Sequence, residues 1–105
     1  MKHVTKSVRY DVDLTRVYSV QEMQEIVKDV SKTLNVYISH IGSFSRKKYP
    51  NSVHWHFKEH PKEKGCLDAT YWKEGREFWI IARNYEPEWV KEKALKMQVL
   101  LNKTL

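Results

Sequence analysis

Residues 66–83, CLDATYWKEGREFWIIAR, constrain the fold more than any other stretch of the chain. Two alternating runs flank Glu74-Gly75, and a tight turn there fixes which residues stand opposite one another. A two-residue loop at Glu74-Gly75 pairs Tyr71 with Phe78, Ala69 with Ile80 and Leu67 with Ala82, so one face of the predicted hairpin is apolar. The other face pairs Trp72 with Glu77, Thr70 with Trp79, Asp68 with Ile81 and Cys66 with Arg83. A slip of one residue would turn the apolar set to the opposite face. Turn chemistry and alternation therefore specify the same register.

The rest of the chain supplies partners for that hairpin. Residues 8–14, VRYDVDL, alternate Val8, Tyr10, Val12 and Leu14 against Arg9, Asp11 and Asp13, the pattern of a strand with one wet face. Residues 52–58 carry Val53-His54-Trp55-His56-Phe57: Val53, Trp55 and Phe57 belong to the core, and His54 and His56 to the other face. VYISHIG at 36–42 is a further strand, but its faces do not separate. Val36, Ile38 and His40 share one side, Tyr37, Ser39 and Ile41 the other. Between the first two strands, Ser19 and Glu22 have capping-box spacing, and Val20, Met23, Val27, Val30 and Leu34 recur at helical intervals. A second helix starts around Pro87, which suits a first helical position, and buries Val90, Ala94, Met97 and Leu101. Trp89, early in it, covers an end of the sheet. The polar stretch 43–51 is a loop, and EHPKEKG at 59–65 a turn broken by Pro61 and Gly65.

The order is thus β-α-β-β-β-β-α, within one domain over residues 1–105. The expected class is α+β: a five-stranded, mainly antiparallel sheet with two helices packed on one face. This order resembles one repeat of the TATA-box-binding fold and, more loosely, the helix-grip folds. The resemblance is one of element order, and no functional residue is carried over with it.

With the helices on one side, the other sheet face carries Arg9, Asp11, Asp13, His54, His56, Lys58, Asp68, Thr70, Trp72, Glu77, Trp79, Ile81 and Arg83. Two tryptophans and an isoleucine on a nominally wet face need covering by a partner, a loop or a second copy of the chain. A homodimer through the sheet is one solution. Single-stranded nucleic acid is another, with bases stacked on Trp72 and Trp79 and phosphates met by Arg46, Lys47, Lys48, Lys58 and Arg83. Asp11, Asp13, Asp68 and Glu77 on the same face oppose it. An acidic protein surface, or a small ligand between the sheet and the 43–51 loop, would suit mixed polarity.

His54 and His56 lie at i and i+2, and strand parity brings Asp68 to their face, opposite His56 or one pair removed. Two imidazoles and a carboxylate can hold zinc or another divalent metal with a position left open, and Cys66 or His40 would be a further ligand. Histidines beside carboxylates equally occur without metal. For catalysis, Cys66 is the one thiol, with His56 as its base. No glycine-rich phosphate loop, nucleophile elbow or paired acidic motif accompanies it, and a non-enzymatic module is expected.

Charge sets the choice of partner. The chain has 19 Lys and Arg against 13 Asp and Glu, net +6. Residues 36–65 hold six of those bases and only two acids, with SRKKYP at 45–50 the densest part. Such a surface favours polyanions. One cysteine excludes an intrachain disulfide and a zinc-finger spacing. The amino-terminal MKHVTKSVRYDVDL lacks the apolar run of a secretory signal, and no run of roughly 18 apolar residues reads as a membrane span, so a cytoplasmic protein with no membrane partner is expected. The sequence reading is a small binding module that takes nucleic acid or another anionic partner, with the His54/His56/Asp68 metal site and the dimer as alternatives.

Overall fold

The computed structural model describes residues 7–43 and 46–105. Residues 1–6, Phe44 and Ser45, the last of these in the basic stretch 45–50, lie outside the described residues. The elements are β1 (Ser7–Val12), α1 (Val20–Thr33), β2 (Tyr37–Gly42), β3 (Val53–Lys58), β4 (Leu67–Trp72), β5 (Glu77–Arg83) and α2 (Glu88–Thr104). All neighbouring strands pair antiparallel, in the order β1-β5-β4-β3-β2. The α+β class and the element order are those expected.

Each helix begins and ends for local reasons. Ser19 caps α1 reciprocally with Glu22, satisfying two of the N–H groups that a helix start leaves open. At its end Asn35 turns left-handed (φ 59°), with Val36 N–H returning to Ser31 O and Asn35 N–H to Lys32 O. Pro87 is the N-cap of α2 in an extended conformation, one position earlier than expected. The strand β1 stops at Val12 because the next amide, Asp13 N–H, donates to Asn102 Oδ1 of α2 instead of continuing the ladder.

The β4–β5 register is the one read from the sequence, Tyr71 opposite Phe78 and Asp68 opposite Ile81 among the pairs. The turn differs in its detail. Arg76 N–H closes on Lys73 O, and Arg76 (φ 53°) takes the left-handed conformation in place of Gly75. Gly75 is needed for another reason: a Cβ there would stand 2.2 Å from Trp72 Cε3, so the indole lies against bare backbone.

The core gathers Met23, Val27 and Val30 of α1 and Val90, Ala94, Met97 and Leu101 of α2 against Trp55, Phe57, Leu67, Ala69, Tyr71, Phe78, Ile80 and Ala82. The strand registers put all of these residues on one face, so both helices cover the same side of the sheet. Trp89 donates from Nε1 to Lys64 O and packs with Pro87 over Gly65 (φ 109°), which pins the β3–β4 connection to the start of α2. No helix among the described residues is long and apolar enough to cross a membrane.

Candidate metal centre

On the sheet face away from the helices, β3 and β4 set His54 opposite Thr70 and His56 opposite Asp68. The intervening Trp55 and Ala69 point into the core, so pleating sends these four side chains the other way. Thr70 Oγ1 lies 2.6 Å from His54 Nδ1, which orients the ring and leaves Nε2 facing Asp68 at 3.7 Å. His56 Nε2 approaches the other carboxylate oxygen, Oδ1, at 3.9 Å. One donor atom from each of His54, His56 and Asp68 falls within 4.8 Å of the others.

Asp68 is the centre of the cluster and is only 2% exposed. Arg83 Nη1 donates to Oδ2 at 2.5 Å, and Cys66 Sγ to Oδ1 at 3.3 Å. Burial acts to raise the Asp68 carboxyl, but His54, Arg83 and Cys66 aimed at it prevail and hold it down at about 2. His56 is lowered, first by burial and then by the neighbouring His54, His40 and Arg83, with Asp68 pulling the other way. That direction favours the neutral imidazole that metal ligation requires. Burial and the Asp68 charge push the Cys66 thiol up to about 12.

That last effect disfavours the thiolate that a nucleophilic Cys66 would need. Its thiol donates to the Asp68 carboxylate. His40, whose side of β2 the sequence left open, comes to this face through a shift in register. Ile38 pairs with Phe57 and His40 with His56, so Ser39 is an extra residue on β2 and donates to His56 O from its hydroxyl. The His40 and His56 rings stand 5.5 Å apart.

No protein-family model, curated protein or solved structure matches this chain.

The aromatic half of the same face is built differently from the open platform expected. Tyr49, from the basic loop, packs edge-on against Trp72 at 4.9 Å and lies tilted against Trp79 at 5.1 Å. Arg9 lies over Trp79 with its guanidinium 4.4 Å from the ring. Trp79 is consequently 2% exposed and offers no ring face to a base, a correction to its expected stacking role. Of the three coverings the sequence allowed for Trp79, the loop supplies one from within the chain. Arg9 also pairs with both Asp11 and Glu77, which offsets one of their two charges, and Arg83 pairs with Asp68.

The predicted anion contacts scatter accordingly. Arg46, Lys47 and Lys48 are exposed on the loop, Lys58 is half-buried beside His56, and Arg83 belongs to the Asp68 cluster. The sequence reading did not give Thr70 its orienting role or Tyr49 its covering one. Thr70 was legible as the cross-strand neighbour of His54; Tyr49 had no periodic signal to place it.

Proposed function

We propose that this domain is a metal-binding module whose site is His54, His56 and Asp68, taking zinc or a similar divalent transition ion. The observation that supports it best is the orientation of His54. A nearly buried imidazole is held by Thr70 at Nδ1 while its Nε2 is directed at Asp68, the second-sphere arrangement that fixes metal-ligating histidines. Ligands in a tetrahedral zinc site stand roughly 3.3 Å apart, given metal–ligand bonds near 2 Å. Here one ligand atom from each residue lies within 4.8 Å of the others, His54 nearest Oδ2 at 3.7 Å and His56 nearest Oδ1 at 3.9 Å, so the three would have to draw together around an ion. Arg83 engages Oδ2 and the Cys66 thiol Oδ1, so an ion would share one of these oxygens with its present donor. Two imidazoles with one carboxylate favour zinc, iron, nickel or copper over magnesium or calcium. Three protein ligands leave at least one position to water or a further ligand.

Native mass spectrometry of protein purified without an affinity tag tests this directly. The expected result is one divalent ion per chain, removed by chelator and restored by zinc, with affinity falling at least 10-fold in His56→Ala. A chain that stays metal-free in micromolar zinc would sink the reading.

A second reading keeps an anionic polymer, nucleic acid first, on the basic loop. Tyr49, seated against Trp72 and Trp79, supports it by holding Arg46, Lys47 and Lys48 beside the sheet face. Single-stranded oligonucleotide binding should then weaken steeply between 50 and 200 mM salt and again in Lys47→Glu, about one counterion's worth of slope being lost with that lysine. Binding that ignores salt would exclude it.

A further inference from the structure

The ligand that completes this centre can be argued from the charges around it. Three donors hold the ion on an open sheet face, and the His56 side chain retains 38% of its exposure, so the free coordination position is not walled in by the core. The groups bordering it are mostly cationic. Arg83 reaches Asp68 from β5, with a fork of donors of which Nη1 is the one engaged there. Lys58 stands two residues beyond His56 on the same face of β3 and, among the described residues, makes no ion pair. Continuing the β3–β4 and β4–β5 registers puts Lys58 and Arg83 on either side of Cys66, at the same end of the sheet. His40 borders His56 from β2. Asp11 and Glu77 are held by Arg9; Glu86 lies at this end of the sheet, accepting from Cys66 N–H, and its charge counts against an anion.

A divalent ion would add two positive charges to those of Arg83 and Lys58, and Asp68 and Glu86 cancel two of the four. A dianion matches that excess better than a monoanion, and a guanidinium fork is suited to two oxygens of one tetrahedral group. We infer that the ligand completing the metal centre is a phosphate group, bound by one oxygen to the ion on His54, His56 and Asp68 and by others to Arg83 and Lys58. This rests on the metal reading above. It adds a ligand class, and it makes metal and phosphate affinities interdependent by the same factor in both directions.

The test uses cobalt(II)-loaded full-length protein, whose visible absorption reports the metal coordination. Cobalt affinity is measured alone, with sub-millimolar inorganic phosphate, with a simple phosphate monoester and with acetate. The expected result is cobalt binding at one per chain, a changed spectrum with phosphate, and cobalt affinity raised about 10-fold or more. Acetate should do markedly less. Lys58→Met, which breaks no ion pair, should bind cobalt as before and lose most of the phosphate effect. Arg83→Met should lose it further, and Lys58→Met keeps the test decisive if that variant unfolds. Enhancement by inorganic phosphate alone identifies the free anion as the ligand, whereas enhancement by the monoester as well identifies phosphorylated molecules. Cobalt binding with no phosphate response overturns the phosphate site and leaves the metal reading standing. An acetate effect equal to that of phosphate overturns the choice of a dianion. Failure to bind cobalt or zinc overturns both.

Discussion

Trp55→Ala is expected to destabilise the protein by about 3–5 kcal/mol, a large part of the total stability of a domain this size. Trp55 sits in the middle strand pairings with no exposed surface, stacked on Phe78 at 5.9 Å between ring centres. Removing it leaves a void bounded by both helices' core residues and by the sheet, which a close-packed interior fills poorly. Its Nε1 is also buried with no hydrogen-bond partner, so part of the cost of placing an indole there has already been incurred. Trp55→Phe removes that orphan donor while keeping most of the ring, and should cost well under half as much as the alanine variant. Urea denaturation of both variants checks the ranking. Equal losses would mean that the ring's packing counts for little.

Asp68→Ala is the second large effect, for an electrostatic reason. Breaking a fully buried ion pair costs about 3–5 kcal/mol because the remaining charge is stranded. Arg83 retains 32% of its side-chain exposure and can turn toward water, which reduces the expectation to about 1–3 kcal/mol. Adding Arg83→Met to Asp68→Ala should recover part of the loss, and a double-mutant cycle measures how much. The sign with pH follows from the depressed carboxyl. Its contribution to folding is present above its ordinary value of 3.8 and lost as pH falls toward about 2. In metal-free protein the Asp68→Asn variant should therefore lose stability less steeply than the wild type over that interval. Parallel acid-unfolding curves would contradict this account of the cluster.

What the sequence disclosed and what it withheld divide along physical lines. The β4–β5 register was legible because alternation has a period of two and Glu74-Gly75 fixes its phase. The same parity placed His56 and Asp68 together, since the direction of a side chain follows from its position in a strand. Helix stripes such as Val90, Ala94, Met97 and Leu101 were legible for the equivalent reason at a period near 3.6. The burial of Trp79 was not, because it depends on how a loop without periodicity returns over the sheet and on Arg9 from a strand distant in sequence. His40 was hidden by a single extra residue: before Ser39 the outward positions of β2 follow one parity, and after it the other. Arg83 was read as a contact for outside anions, and its diagonal reach to Asp68 on the neighbouring strand was not read.

That extra residue bears on more than His40. The sheet ends in two strands, β1 and β2, each with a row of backbone groups on its outer side. An invading chain would need an even row to add itself as a sixth strand. On β2 the irregularity around Ser39 interrupts the row after two residues, and Gly42 ends it soon afterwards. On β1 the charged Arg9 and Asp11 recur at every second position. The displacement that delivers a histidine to the candidate site also blunts a margin where copies of the chain would otherwise template one another into aggregates.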